Sequence, residues 1–87
     1  MLKLIDFYAD WCGPCKVMTP IIEELEKTLG DKISFSKINV DTDMETAQKH
    51  SIMSIPTFVL EKDGKELDRK LGAIPKKSLG DWLNSYI

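Results

Sequence analysis

Two cysteines, Cys12 and Cys15, lie three residues apart in the run Trp11-Cys12-Gly13-Pro14-Cys15. An apolar, strand-forming stretch from Leu2 to Ala9 leads into that run, and an amphipathic stretch leads out of it. This junction constrains the fold more than any other feature. A strand has to end and a helix has to begin almost at once, with one sulfur at the helix mouth and the other a turn inside. Such a pair can close a small ring and reopen it while the elements around it stay in place.

The rest of the composition narrows what that pair is for. At 87 residues the chain reads as a single domain, 1–87, near the lower end of what folds on one hydrophobic core. Its net charge of −2, with both signs interspersed, lacks the basic stripe that nucleic acid or a membrane surface would call for. No apolar run approaches the length of a bilayer span, and no signal peptide is evident. Small disulfide-stabilised domains carry four or more cysteines, and a ring closed over so short a loop adds little stability. The pair is expected to serve chemistry, in a reducing, cytoplasmic setting.

Alternation and periodicity predict the order βαβαββα. Leu2–Ala9 is a strand apolar on both faces, hence central in a sheet. A helix over Cys12–Leu29 carries the apolar stripe Val17, Met18, Ile21, Ile22, Leu25 and Leu29, with a bend expected at Pro20 and a glycine C-cap at Gly30. Ile33–Val40 is a second strand. Thr42 and Glu45 form a capping box for a short helix that ends at His50. Thr57–Glu61 and Glu66–Leu71 make a hairpin about Asp63-Gly64. Leu79, Trp82, Leu83, Tyr86 and Ile87 mark a closing helix from about Lys76. The fold class is α/β: one four-stranded mixed sheet with helices on both faces.

Four positions carry the candidate chemistry. Cys12, at a helix N-terminus, is favoured as thiolate and so as nucleophile. Cys15, a turn deeper, is placed to resolve the mixed disulfide that Cys12 forms. Zinc would need four ligands, and beyond the pair there is only the distant His50, so no metal site is expected. Asp6 is an acid within Leu4-Ile5-Asp6-Phe7-Tyr8. Either burial raises its pKa and lets it exchange a proton with Cys15, or it is a strand-end acid paired with a surface lysine. Lys37, with the strand parity of Ile33 and Phe35, either reaches inward toward Asp6 or snorkels off an edge strand. Trp11 reads as functional surface, since Trp82 already supplies a packed indole. Pro56 reads on base rates as a trans loop proline at a strand start.

The block Asp6-Phe7-Tyr8-Ala9-Asp10-Trp11-Cys12-Gly13-Pro14-Cys15-Lys16, with Pro20, resembles the active-site block of the thioredoxin family. Lys37-Ile38-Asn39-Val40-Asp41, Ile55-Pro56-Thr57 and Leu71-Gly72-Ala73 continue the resemblance through nearly the whole chain. It implies a dithiol reductant of protein disulfides, recharged by a thioredoxin reductase-type enzyme, monomeric and needing no cofactor beyond its own disulfide. It further implies Cys12 attacking, Cys15 resolving, Asp6 accepting a proton beside Lys37, and a cis Pro56 that sets the Ile55 backbone against an extended substrate. Trp11, Gly13, Pro14, Met53, Ser54, Ile55, Gly72 and Ala73 would form the apolar docking surface. The chain departs from the family in three respects. It starts at the family's second strand, which leaves Ile33–Val40 as an edge. Tyr8 stands where an indole is common, and Met53-Ser54 precedes Ile55. The shortened outline also resembles glutaredoxin, although Gly13-Pro14 between the cysteines argues against recharging by glutathione and equally against an isomerase. A binding module in which redox turnover is incidental is the alternative from another class.

Overall fold

The computed structural model describes residues 1–87. Strand β1 (Leu2–Tyr8) is followed by helix α1 (Gly13–Leu29), β2 (Ile33–Asn39), α2 (Met44–Lys49), β3 (Thr57–Lys62), β4 (Lys65–Leu71) and α3 (Lys76–Asn84), the expected order. The four strands form one sheet ordered β2-β1-β3-β4. β1 runs parallel to β2 and antiparallel to β3, and β3 and β4 form the hairpin. Its turn places Asp63 and Gly64 at φ 52° and 83°. Positive φ at both central positions is what a two-residue hairpin loop requires, and a small acid followed by glycine tolerates it best.

β1 is apolar on both faces because it is covered on both. Leu2 and Leu4 face α1 and α3, where they meet Met18, Ile22, Leu25, Leu29, Leu79 and Leu83, together with Ile33, Phe58 and Leu60 of the flanking strands. Ile5 and Phe7 face the other way, onto Val59 and Ala47 of α2. Each large side chain so buried contributes about 1.5–3 kcal/mol, and this two-sided core holds the end of β1 in place.

Three local expectations are corrected. The buried stripe of α1 is Met18, Ile22, Leu25 and Leu29, whereas Val17 is 60% exposed. At about 100° per residue, Val17 stands one step off the stripe and looks into solvent. Pro20 lies inside α1, which continues through it from Gly13 to Leu29. Pro20 and Lys16, whose carbonyl loses its i+4 donor, both lie on the exposed face, where water can take the donor's place. Gly30 does cap the helix, but at φ −64° and not in the left-handed region. A side chain is excluded there because its Cβ would come within 2.5 Å of the Glu26 carbonyl oxygen. The cap of α2 is Asp43 in place of Thr42: its carboxylate accepts from the Thr46 N–H at 3.2 Å and from the Thr46 hydroxyl at 2.8 Å.

Candidate active site

β1 ends in the sheet's interior and delivers the chain directly to the start of α1. Cys12 is the N-cap, extended at φ −86° and ψ 110°, and its N–H donates back to the Ala9 carbonyl at 3.2 Å. Pro14 occupies the first turn, where its missing N–H is no loss and its fixed φ stiffens the loop. Cys15 follows in register with Met18 and Ile22, so it belongs to the buried stripe. Cys12 and Cys15 are joined in a disulfide, with their Cα atoms 5.3 Å apart. The Cys15 N–H donates to Cys12 Sγ at 3.2 Å. An unpaired helix amide aimed at that sulfur favours its anionic form once the bond is opened. Both cysteines are 5% exposed, so accessibility by itself does not rank them. Their neighbours differ: Trp11, Gly13 and Pro14 beside Cys12 are exposed.

Asp6 is 5% exposed, and its Oδ1 has no hydrogen-bond partner. Burial pushes its carboxyl up to about 6, against a smaller downward pull from the Lys37 charge. The alternative of a surface-paired acid is thereby set aside. Lys37 is the register partner of Asp6 across the parallel pair. Its ammonium nevertheless makes no ion pair there and lies over the Tyr8 ring, 5.0 Å from the centroid. Of the two readings of Lys37, the structure takes neither fully. The side chain is exposed, yet it folds back over the sheet end and acts on Asp6 through its field alone. Tyr8, Lys37, Ala9, Asp10, Cys15 and Lys16 line a cavity of about 270 Å³ with Thr19.

On the other side of the motif is an apolar groove of about 390 Å³. It brings together Trp11, Met53, Ser54 and Ile55, all assigned to docking from sequence, with Val40, Ala47 and Ile52, which were given no such role. Trp11 is 70% exposed and Met53 95%, so the groove's rim is a large apolar surface in water. Ile55 also packs against the cysteine pair. The Ile55–Pro56 bond is cis, and the Pro56 carbonyl accepts from the Gly72 N–H at 2.8 Å. Gly13 and Pro14 are exposed at the start of α1, and Ala73 is exposed after Gly72; none of these lines the groove. Asp41 entered the sequence reading only as the end of the resembling block Lys37–Asp41, with no role attached. Its Oδ2 accepts from Trp11 Nε1 at 2.7 Å, fixing the indole across thirty residues of chain that carry no local signal of the contact.

A ring of two sulfurs that spans the first helical turn, fed by a rigid central strand and bordered by an apolar groove, is suited to being opened by one partner and closed on another. That is the chemistry of a thiol–disulfide oxidoreductase. The thioredoxin family model matches residues 1–85. Among curated relatives, thioredoxin of Rickettsia typhi is 46% identical over 84 residues, covering 97% of this chain and 80% of its own length. Thioredoxin of Bacillus subtilis is 45% identical over 84 residues, with 97% and 81% covered. The X-ray structure of Fasciola hepatica thioredoxin superposes with a TM-score of 0.91 at 41% identity, over 99% of this chain and 81% of that one. The chain belongs to the thioredoxin family, and is a dithiol reductant of disulfides. Members of that family work with thioredoxin reductase and with disulfide-bearing proteins.

Proposed function

We propose that Cys12 attacks the substrate disulfide, Cys15 resolves the intermediate, and Asp6 takes the proton that Cys15 must lose. The observation that carries this division is the Cys15 N–H aimed at Cys12 Sγ, at the N-cap of α1. In the first step the Cys12 thiolate bonds to one substrate sulfur, and the substrate S–S bond breaks to release a thiolate that takes a proton from water. In the second step Asp6 accepts the Cys15 proton and Cys15 bonds to Cys12 Sγ. The second substrate thiolate leaves, and the Cys12–Cys15 disulfide remains. Two electrons have passed to the substrate. A carboxyl raised to about 6 by burial suits this exchange, since it can take up a proton and still return it.

The docking surface in this reading is the groove and its border: Trp11, Gly13, Pro14, Met53, Ser54, Ile55, Pro56, Gly72 and Ala73. No intrachain hydrogen bond uses the Ile55 N–H or carbonyl, which leaves that backbone available to pair with an extended substrate segment. Lys37 lends positive field to the Cys15 side. The protein works as a cytoplasmic monomer with no cofactor besides its own disulfide, is recharged by a thioredoxin reductase-type enzyme, and binds neither nucleic acid nor membrane. No helix is long and apolar enough to cross a bilayer.

The decisive test is alkylation of the reduced protein with limiting iodoacetamide at neutral pH, followed by peptide mapping. Cys12 is expected to carry the label; preferential labelling of Cys15 reverses the roles. Insulin reduction coupled to thioredoxin reductase should proceed, and coupling to glutathione alone should fail.

A further inference from the structure

Asp6, Tyr8 and Lys37 share one face of the sheet, Asp6 and Tyr8 by alternation along β1 and Lys37 as the register partner of Asp6 on β2. A lysine in that place has two destinations. It can fold onto the carboxylate opposite, or it can reach along the sheet to the aromatic ring two residues on. The first would make an ion pair. The second, seen here, leaves Asp6 Oδ1 with no partner and sets the ammonium over the Tyr8 face at 5.0 Å, in the cavity that Cys15 also lines. The quadrupole of a ring attracts a cation within about 6 Å of its centroid, enough to choose between two rotamer families of a long side chain.

We propose that Tyr8 is a positioning residue: its ring holds the Lys37 ammonium off Asp6, keeping that carboxyl unpaired and the cation on the Cys15 side. The proposal rests on the assignment of Asp6 as proton acceptor only for its functional consequence; the geometric claim stands on its own. Lys37 from β2 is the one charge whose field bears on Asp6, and β3 opposes it with Phe58. The cavity into which the Lys37 ammonium is set is lined besides by Tyr8, by Cys15 and Lys16 from α1, and by Asp10 from the turn. A released Lys37 is therefore the cation best placed to reach Asp6. Its arrival would lower the titration midpoint of Asp6, since an opposite charge at contact favours the carboxylate.

The test follows the carboxyl carbon resonance of Asp6 by NMR through a pH titration of the oxidised protein, in which neither sulfur titrates. Tyr8→Phe, which keeps the ring face, should leave the midpoint in place. Tyr8→Leu should lower it by about one pH unit, and in a Lys37→Met background the same change should do nothing. An unmoved midpoint in Tyr8→Leu overturns the proposal. So does an equal drop in the Lys37→Met background, which would trace the shift to added solvent at Asp6. Should Tyr8→Leu fail to fold, the parent protein still decides. The ε-methylene protons of Lys37 should show an upfield ring-current shift that Tyr8→Phe retains, and random-coil positions for them sink the idea. If Asp6→Asn turns over at full speed while the midpoints behave as stated, Asp6 loses its catalytic role and Tyr8 remains the holder of Lys37.

Discussion

At the scale of the residue, Asp6 shows how one misfit in a sequence converts into chemistry. An acid between Ile5 and Phe7 on an interior strand must either be expelled or be desolvated, and the structure desolvates it. A carboxyl raised from 3.8 to about 6 binds its proton more tightly in the folded chain. Folding stability from this group is thus fully present below the unfolded value. It is lost as pH rises through the folded one, by about 3 kcal/mol in all. Asp6→Asn should accordingly be more stable than the parent by about that amount at pH 7.5, and the gap should close by pH 4 in urea denaturation. The same variant should slow insulin reduction, with the resolving step affected more than the attack. Equal stability at both pH values would remove the buried-charge account. The burial of Asp6 was legible from its neighbours. The direction of Lys37 was not, because parity gives the face of a strand and says nothing of which rotamer a long side chain takes on it.

At the scale of the element, what sequence pattern conveys is type and order, and what it blurs is the residue that closes each end. The hairpin was legible because Asp63-Gly64 is a local requirement of backbone geometry. Thr42 and Asp43 are both competent caps, and only the dihedral angles at the entry to α2 choose between them. The choice is measurable. Asp43→Ala should cost about 1 kcal/mol in thermal or chemical unfolding, since it strips a carboxylate from the Thr46 N–H and hydroxyl. Thr42→Ala, which removes a hydroxyl bonded only to the Asn39 carbonyl at 3.3 Å, should change little. The reverse ranking would restore Thr42 as the cap. On α1 the same logic separates Val17 from Leu25. Val17→Ser should stay within about 0.5 kcal/mol of the parent, while Leu25→Ala should cost about 2–5 kcal/mol.

At the scale of the whole molecule, the sheet order explains both the site and an open edge of the sheet. Placing β1 inside lets two helical layers clamp the strand that feeds the disulfide, and it gives the groove a rigid floor in Val40, Ala47 and Ile55. The contacts that build this floor join residues far apart in the chain, which is why Asp41, Val40 and Ile52 could not be found by spacing. The same order leaves β2 at an edge, with one row of backbone donors and acceptors unpaired. Its sequence, Ile33-Ser34-Phe35-Ser36-Lys37-Ile38-Asn39, alternates apolar residues with two serines and one charge. Ser34 is exposed and Ser36 half-buried, on the face of the strand opposite Phe35. Replacing both with valine would create a run of β-branched and aromatic residues from 33 to 36 on an open edge, guarded only by the flanking Lys32 and Lys37. Ser34→Val/Ser36→Val should therefore self-associate in sedimentation velocity at concentrations where the parent runs as a single small species. Adding Ser34→Lys to the Ser36→Val background, in place of the second valine, should suppress the association. A double-valine variant that sediments like the parent would show that twist and the neighbouring Lys37 already protect this edge, and that the serines are not what keeps it open.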